Sequence, residues 1–119
     1  PLLRKLLHDT LAEAGFHQVE FFENGQDALT YLEGLVESNK DITDAVQLVI
    51  TDIEMPQMDG HHLTKRIKEN DELAKLPVII FSSLITDDLR HKGQMVGANA
   101  QVSKPEIAEL VLLIDKYIL

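Results

Sequence analysis

Apolar runs of strand character alternate with segments of helical period from one end of this sequence to the other, and that order constrains the fold more than any single residue does. Leu3, Leu7, Leu11 and Ala14 recur at helical spacing and Gly15 supplies a left-handed stop, so residues 1–14 are a predicted helix. Residues 17–23, with Val19, Phe21 and Phe22, read as a strand; Asn24-Gly25 punctuates it, and Ala28, Leu32 and Leu35 resume the helical period. Strand 46–52 with helix 60–70, strand 77–82 with helix 86–96, and strand 100–103 with helix 105–118 follow. Thr86 ahead of Asp87 and Asp88 is a strong helix start, because the hydroxyl caps free amides and the acids favour the positive end of the helix. Regular alternation of this kind predicts an α/β fold with a parallel, doubly wound sheet. Residues 38–44 are the one linker-like stretch, so residues 1–119 are expected to form a single compact unit.

Composition narrows the class of function. A 119-residue chain with 45% hydrophobic content can bury a core in one domain. A formal charge of −9 argues against direct binding of nucleic acid, which needs a concentrated basic face. There is no cysteine and therefore no disulfide, and no apolar run reaches the roughly 18–20 residues of a membrane span. These features predict a soluble, cytoplasmic domain. The sequence opens at Pro1 and not at a start Met, so the natural N-terminus is expected upstream.

Three chemically distinct side chains close successive strands. Asp52 ends the apolar run 46–51 and precedes a turn, Ser82 ends the run 77–81, and Lys104, followed by Pro105, ends the run 100–103. In open parallel sheets the ligand crevice lies outside the carboxyl ends of the strands, so an acid, a hydroxyl and an amine there face a ligand. Taken singly, each has a plainer reading: a helix cap, a turn hydroxyl and a solvated charge. Asp59-Gly60 reads as a structural turn into the next helix, with glycine allowing a backbone conformation that other residues resist. His61 and His62 are adjacent, point roughly 100° apart on a helix and cannot chelate together, so they are expected on a solvated face. His8, His17 and His91 are isolated.

The stretch Thr51-Asp52-Ile53-Glu54-Met55-Pro56-Gln57-Met58-Asp59-Gly60, then Phe81-Ser82-Ser83, then Lys104-Pro105, resembles the receiver domain of bacterial two-component systems, the CheY-like family, along the whole chain. Phe81-Ser82-Ser83-Leu84, Arg90-His91-Lys92-Gly93 and Val102-Ser103-Lys104-Pro105-Glu106 are similar, more narrowly, to the receiver of chemotaxis coupling proteins of the CheV type. The resemblance implies a flavodoxin-like sheet of strand order 2-1-3-4-5. It also implies that Asp52 accepts a phosphoryl group from a histidine kinase, of the CheA type in chemotaxis, or from a small donor such as acetyl phosphate. Lys104 would stand beside the phosphoryl group as a cation, and Ser82 would donate a hydrogen bond to one of its oxygens. Phosphoryl transfer asks a protein mainly for alignment and for positive charge, which suits this set. By the same resemblance Mg²⁺ is bound by Asp52, by the backbone carbonyl of Glu54 and by further carboxylates. Glu54 and Leu84 hold positions that in the family govern access of hydrolytic water. The face formed by residues 86–118 is where receivers meet protein partners; on its last helix Ile107, Leu110, Val111 and Ile114 fill one side, leaving Leu113 and Tyr117 towards another.

Two departures from the family pattern carry consequences. Receivers have an acidic pair at the end of a first strand, immediately before the helix that opens this sequence, and nothing ahead of Pro1 supplies it. The sheet is therefore expected to lack its first strand in this chain, to bind Mg²⁺ weakly or not at all, and to self-associate through unpaired inner edges. Gln101 stands where many receivers have Tyr or Phe, so no aromatic rotamer switch is expected. Two other functions fit part of the pattern: an interaction module working without phosphate, and an aspartate-nucleophile phosphatase of the haloacid dehalogenase type. The second would want a further Asp where Glu54 stands. The reading favoured by Asp52, Ser82 and Lys104 together is a phosphoacceptor signalling domain that turns over no metabolite.

Overall fold

The computed structural model describes residues 22, 24–38, 41–53, 58–82, 85–103 and 107–118. The expected helix over 1–14 and, Phe22 apart, the strand over 17–23 lie outside the described residues, as do Glu54, Leu84 and Lys104. The described elements run α1 (Gly25–Glu37), α2 (Ile42–Ala45), β1 (Val49–Thr51), α3 (Gly60–Glu69), a 3₁₀ turn (Leu73–Lys75), β2 (Val78–Ser82), α4 (Asp87–Met95), β3 (Ala100–Ser103) and α5 (Ile107–Ile118).

The three described strands form a parallel sheet in the order β1-β2-β3, with Thr51 beside Ile80, Ile80 beside Gln101, and Ser82 beside Ser103. Parallel neighbours need a long crossover, and α3 and α4 lie in the two connections. All five residues of β2 are buried, which is why this strand reads as an unbroken apolar run and not as an alternation. Successive side chains point to opposite faces. Val78 therefore joins Leu29 and Leu32 of α1 and Leu63 and Ile67 of α3, while Ile79 and Phe81 join Val102 and, from α5, Leu110 and Ile114. The sheet is covered on both sides.

Helix starts follow the sequence closely. Asn24 Oδ1 accepts from the Asp27 N–H at 2.8 Å, Asp59 Oδ1 from the His62 N–H at 2.7 Å, and Thr86 Oγ1 from the Leu89 N–H at 3.2 Å, the last as the Thr86-Asp87-Asp88 pattern predicted. Asn99 joins the starts of two strands: its N–H donates to the Val78 carbonyl at 2.8 Å and its Oδ1 accepts from the Val78 N–H at 2.9 Å. Tyr117 Oη donates to the Asn99 carbonyl at 2.9 Å and so ties α5 to the same point.

Three expectations change. The linker-like stretch 38–44 contains the start of α2, because Ile42 is wholly buried and needs a turn to reach the core. The strand expected over 46–52 shortens to β1: the Val46 N–H bonds back to the Ile42 carbonyl at 2.8 Å, and pairing begins only where the Val49 N–H reaches the Pro77 carbonyl at 3.0 Å. On α5, Leu113 and Tyr117 pack against the same core cluster as Leu110 and Ile114, and the outward apolar residue is Leu112. Among the described residues no helix is long and apolar enough to cross a membrane.

The core assignment has a direct test. Ile79→Ala, at a wholly buried position in the central described strand, is expected to cost about 2–5 kcal/mol in urea unfolding, against within about 0.5 kcal/mol for Leu112→Ala on the surface.

Candidate functional site

The carboxyl ends of the described strands lie together, and Asp52 follows β1 directly at that end. Thr51, buried beneath it, donates its hydroxyl to the Asp52 carbonyl at 2.9 Å. The Asp52 side chain is half-buried, and its Oδ1 accepts from the Ile53 N–H at 2.7 Å, so the carboxylate is turned back over the start of its own loop.

That loop is pinned by two helix N-termini. The Gly60 N–H donates to the Ile53 carbonyl at 2.9 Å, and the Gly25 N–H donates to the Met58 carbonyl at 3.2 Å. Gly60 is the first residue of α3, and a Cβ there would collide with the backbone carbonyl oxygen of Asp52. The requirement for glycine at this position is thus one of space, and not the unusual backbone conformation that the turn reading expected. Thr64, wholly buried, donates its hydroxyl to the Gly60 carbonyl at 2.7 Å and secures the first turn from within. The partial positive charge of helix N-termini favours an anion on this side of the loop.

Ser82 is the last residue of β2 and is buried. Counting from the Thr51–Ile80 pair, Asp52 is one residue further along β1 and Ser82 two residues further along β2, so both stand at the same end of adjacent strands. Ser103 is in register with Ser82, which brings β3 to that end as well, immediately before Lys104. Lys104 and the Glu54 carbonyl belong to the expected site but lie outside the described residues. No group of three or more His, Cys, Asp or Glu that could hold a metal ion occurs among the described residues. Asp52, a hard oxygen donor, suits a hard dication as one ligand of a larger set.

His61 corrects the expectation of a solvated pair. His62 is exposed, but His61 is 1% exposed, and its Nε2 has no hydrogen-bond partner among the described residues. Burial, reinforced by the charge of Lys92, lowers its pKa from the ordinary value of 6.5, against the opposing pull of Asp59 and of a hydrogen bond to the Leu89 backbone. The spacing gave one signal: His61 shares a helix face with Thr64, three residues on, and Thr64 is wholly buried. The rule that two adjacent histidines cannot chelate stands, yet it does not decide which of them faces inward.

The Gly60 contact predicts opposite effects at two glycines. Gly60→Ala is expected to destabilise by about 1–3 kcal/mol through overpacking against the Asp52 carbonyl. Gly34→Ala, in the interior of α1 with open space around it, is expected to stabilise by about 0.5–1 kcal/mol, both read from urea midpoints.

Similarities to known proteins agree with this arrangement. Residues 1–115 match the response regulator receiver domain. The chain is 37% identical over 95 residues, 80% of its length, to the chemotaxis protein CheV2 of Helicobacter pylori, of which it spans 29%. It is 32% identical over 102 residues, 86% of its length, to a gliding motility regulatory protein of Myxococcus xanthus, of which it spans 12%. In structure it superposes with a TM-score of 0.81 on the receiver domain of a sensor histidine kinase from Pseudomonas aeruginosa, over 99% of this chain and 89% of that one at 20% identity. That crystal structure has a magnesium ion coordinated in its active-site cleft. A strand-end aspartate over a pinned loop, a strand-end serine beside it and a match spanning nearly every residue place this chain in the response regulator receiver domain family, with the flavodoxin-like fold of its members.

Proposed function

We propose that Asp52 is the phosphoacceptor of this domain and that its phosphorylated state changes what the 86–118 face binds. The observation that carries this reading is the fixed position of the Asp52 carboxylate, held by the Ile53 N–H at the carboxyl end of the sheet with Ser82 closing the next strand. A carboxylate oxygen of Asp52 attacks phosphorus in line. The bond from phosphorus to the donor breaks, to an imidazole nitrogen of a kinase phosphohistidine or to the acyl oxygen of acetyl phosphate, and that leaving group takes the electron pair. The product is an aspartyl phosphate that water later hydrolyses.

The roles of the neighbouring residues follow from the charge that develops. The Ser82 hydroxyl donates to a phosphoryl oxygen, and the Lys104 ammonium offsets negative charge on the same side. Asp52 and the Glu54 carbonyl are the ligands this chain offers a magnesium ion, with further carboxylates completing the set. When bound, Mg²⁺ supplies positive charge against the phosphoryl oxygens and helps align them. Drawing Ser82 towards the phosphoryl group shifts the end of β2, and the chain that leaves it leads straight into α4.

Receivers act with histidine kinases and protein partners, and here the face presents Met95 of α4 at 74% exposure and Leu112 of α5 at 71%. The likeness to CheV2 favours a chemotaxis pathway in the cytoplasm, with a kinase of the CheA type as donor and receptor–kinase coupling as the output.

Incubation with acetyl phosphate and Mg²⁺, read by intact mass on the natural protein that contains this chain, tests the assignment. A phosphoryl adduct is expected in the parent and absent in Asp52→Asn. Ser82→Ala is expected to phosphorylate about 10–100-fold more slowly, the worth of one hydrogen bond to a charged group. An adduct that persists in Asp52→Asn would assign the chemistry elsewhere.

A further inference from the structure

α4 is anchored differently from the other long helices. α1, α3 and α5 each bury leucine or isoleucine side chains in the core, whereas the one fully buried residue of α4 is Gly93. A helix held by so little apolar burial depends on its polar contacts, and two side chains from neighbouring elements make them.

The first is Gln101 of β3. Its Nε2 donates to the Arg90 carbonyl at 2.9 Å, and its side chain fills the space that a Cβ on Gly93 would occupy, which lets α4 lie close over the strand. Its Oε1 is buried without a partner among the described residues.

The second is His61 of α3, which is wholly buried, bonds the Leu89 backbone of α4 and feels the charge of Lys92. In a neutral imidazole one nitrogen carries the proton and the other is a bare lone pair, so leaving that nitrogen buried without a partner costs less than leaving an N–H of a charged ring so. In the imidazolium both nitrogens carry protons. The buried Nε2 then becomes a donor with no acceptor among the described residues, and a second positive charge acts together with that of Lys92. Asp59, at the start of the same helix, is the one described carboxylate acting on the ring, and its own Oδ1 is engaged by the His62 N–H.

We propose that His61 is a pH-dependent latch on α4: neutral, it holds the helix against α3, and protonated, it releases α4 while the sheet and the other long helices stay folded. Release falls on α4 because α3 is committed elsewhere. Leu63 and Ile67 of α3 lie in the core and Gly60 is locked to the Asp52 turn, whereas α4 gives up only Gly93 and a half-buried Leu89. The latch operates whether or not Asp52 carries a phosphoryl group, and since Met95 lies on α4 it makes the exposed face of that helix sensitive to acid.

The pH window follows from the direction of the shift. Burial and Lys92 depress the pKa in the closed form below 6.5, so the closed form binds the proton more weakly than an open one. Closure is at full strength above about pH 6.5, weakens as the pH falls below it, and stops changing once the pH is below the closed-form value.

Solution NMR on the unphosphorylated protein between about pH 8 and pH 5 tests the latch, because it reads the His61 ring and the amide exchange of α4 in one sample. The His61 midpoint is expected below 6.5. Exchange protection of the α4 amides, corrected for intrinsic rates, is expected to fall roughly tenfold for each pH unit of that depression, with the β2 amides unchanged. His61→Gln should remove the pH dependence and His62→Gln should keep it. Lys92→Met, at an exposed position, should raise the midpoint and shrink the loss in proportion. A wild-type midpoint at or above 6.5, α4 protection that ignores the His61 titration, equal losses in β2, or a pH dependence that survives His61→Gln would each overturn the proposal.

Discussion

The contact between the first residue of α3 and the carbonyl of Asp52 fixes the functional end of this domain. A Cβ there would collide with that carbonyl, and the same glycine donates its N–H to the Ile53 carbonyl, so the strand end and the helix start are joined directly. The joint is kept closed from a distance. Leu63 and Ile67, one and two turns further along α3, are buried in the core, and each buried aliphatic side chain stabilises by about 1.5–3 kcal/mol, more than the roughly 1 kcal/mol of a backbone hydrogen bond. Packing of α3 therefore holds Gly60 against the turn, and the turn holds the carboxylate. Displacing Asp52 would require lifting a helix out of the core.

Much of this was legible in the sequence, and the reasons differ by element. β2 could be read because a strand buried on both faces must be apolar at every position, and Val78-Ile79-Ile80-Phe81 has that form. The start of α4 could be read because Thr86 satisfies an amide within its own first turn, which is a local matter, and Asn24 and Asp59, read as turn residues, cap α1 and α3 in the same way. The strand-end positions of Asp52 and Ser82 followed from the strands themselves. α2 was hidden because a single turn has no period to detect, and only the burial of Ile42 against distant residues accounts for it. His61 was hidden for a related reason. His61 is turned towards the Leu89 backbone of α4, and that neighbour is set by the crossover and not by the pattern of α3 alone.

Gln101 shows how one substitution in a family pattern can be mistaken for a simple loss. Where many relatives carry an aromatic ring, this chain has an amide that reaches across Gly93 to a backbone carbonyl of α4. A ring would contact α4 by apolar area, whereas the amide contacts it by a directional bond and leaves one buried oxygen unpartnered among the described residues. Buried polar atoms in that state carry a cost that water or a new donor would relieve, so Oε1 weakens the seat of the helix that Nε2 supports.

The distribution of anchoring follows from these contacts. The end of β1 that carries Asp52 is tied through Gly60 of α3 to the deepest part of the core, and β2 is buried along its whole length, so the described carboxyl ends of these two strands are firmly anchored. α4 follows Ser82 in the chain after a short connection and rests on polar contacts, two of which leave a buried atom without a partner among the described residues. A small displacement at a stiff site is transmitted only if something next to it has two nearly equal positions, since packed cores do not deform smoothly. In this chain α4 is the described long helix with the least apolar burial to hold it in one position. If Ser82 and His61 act as proposed, a change at either would act on this weakly anchored helix before it acted on the sheet beneath it.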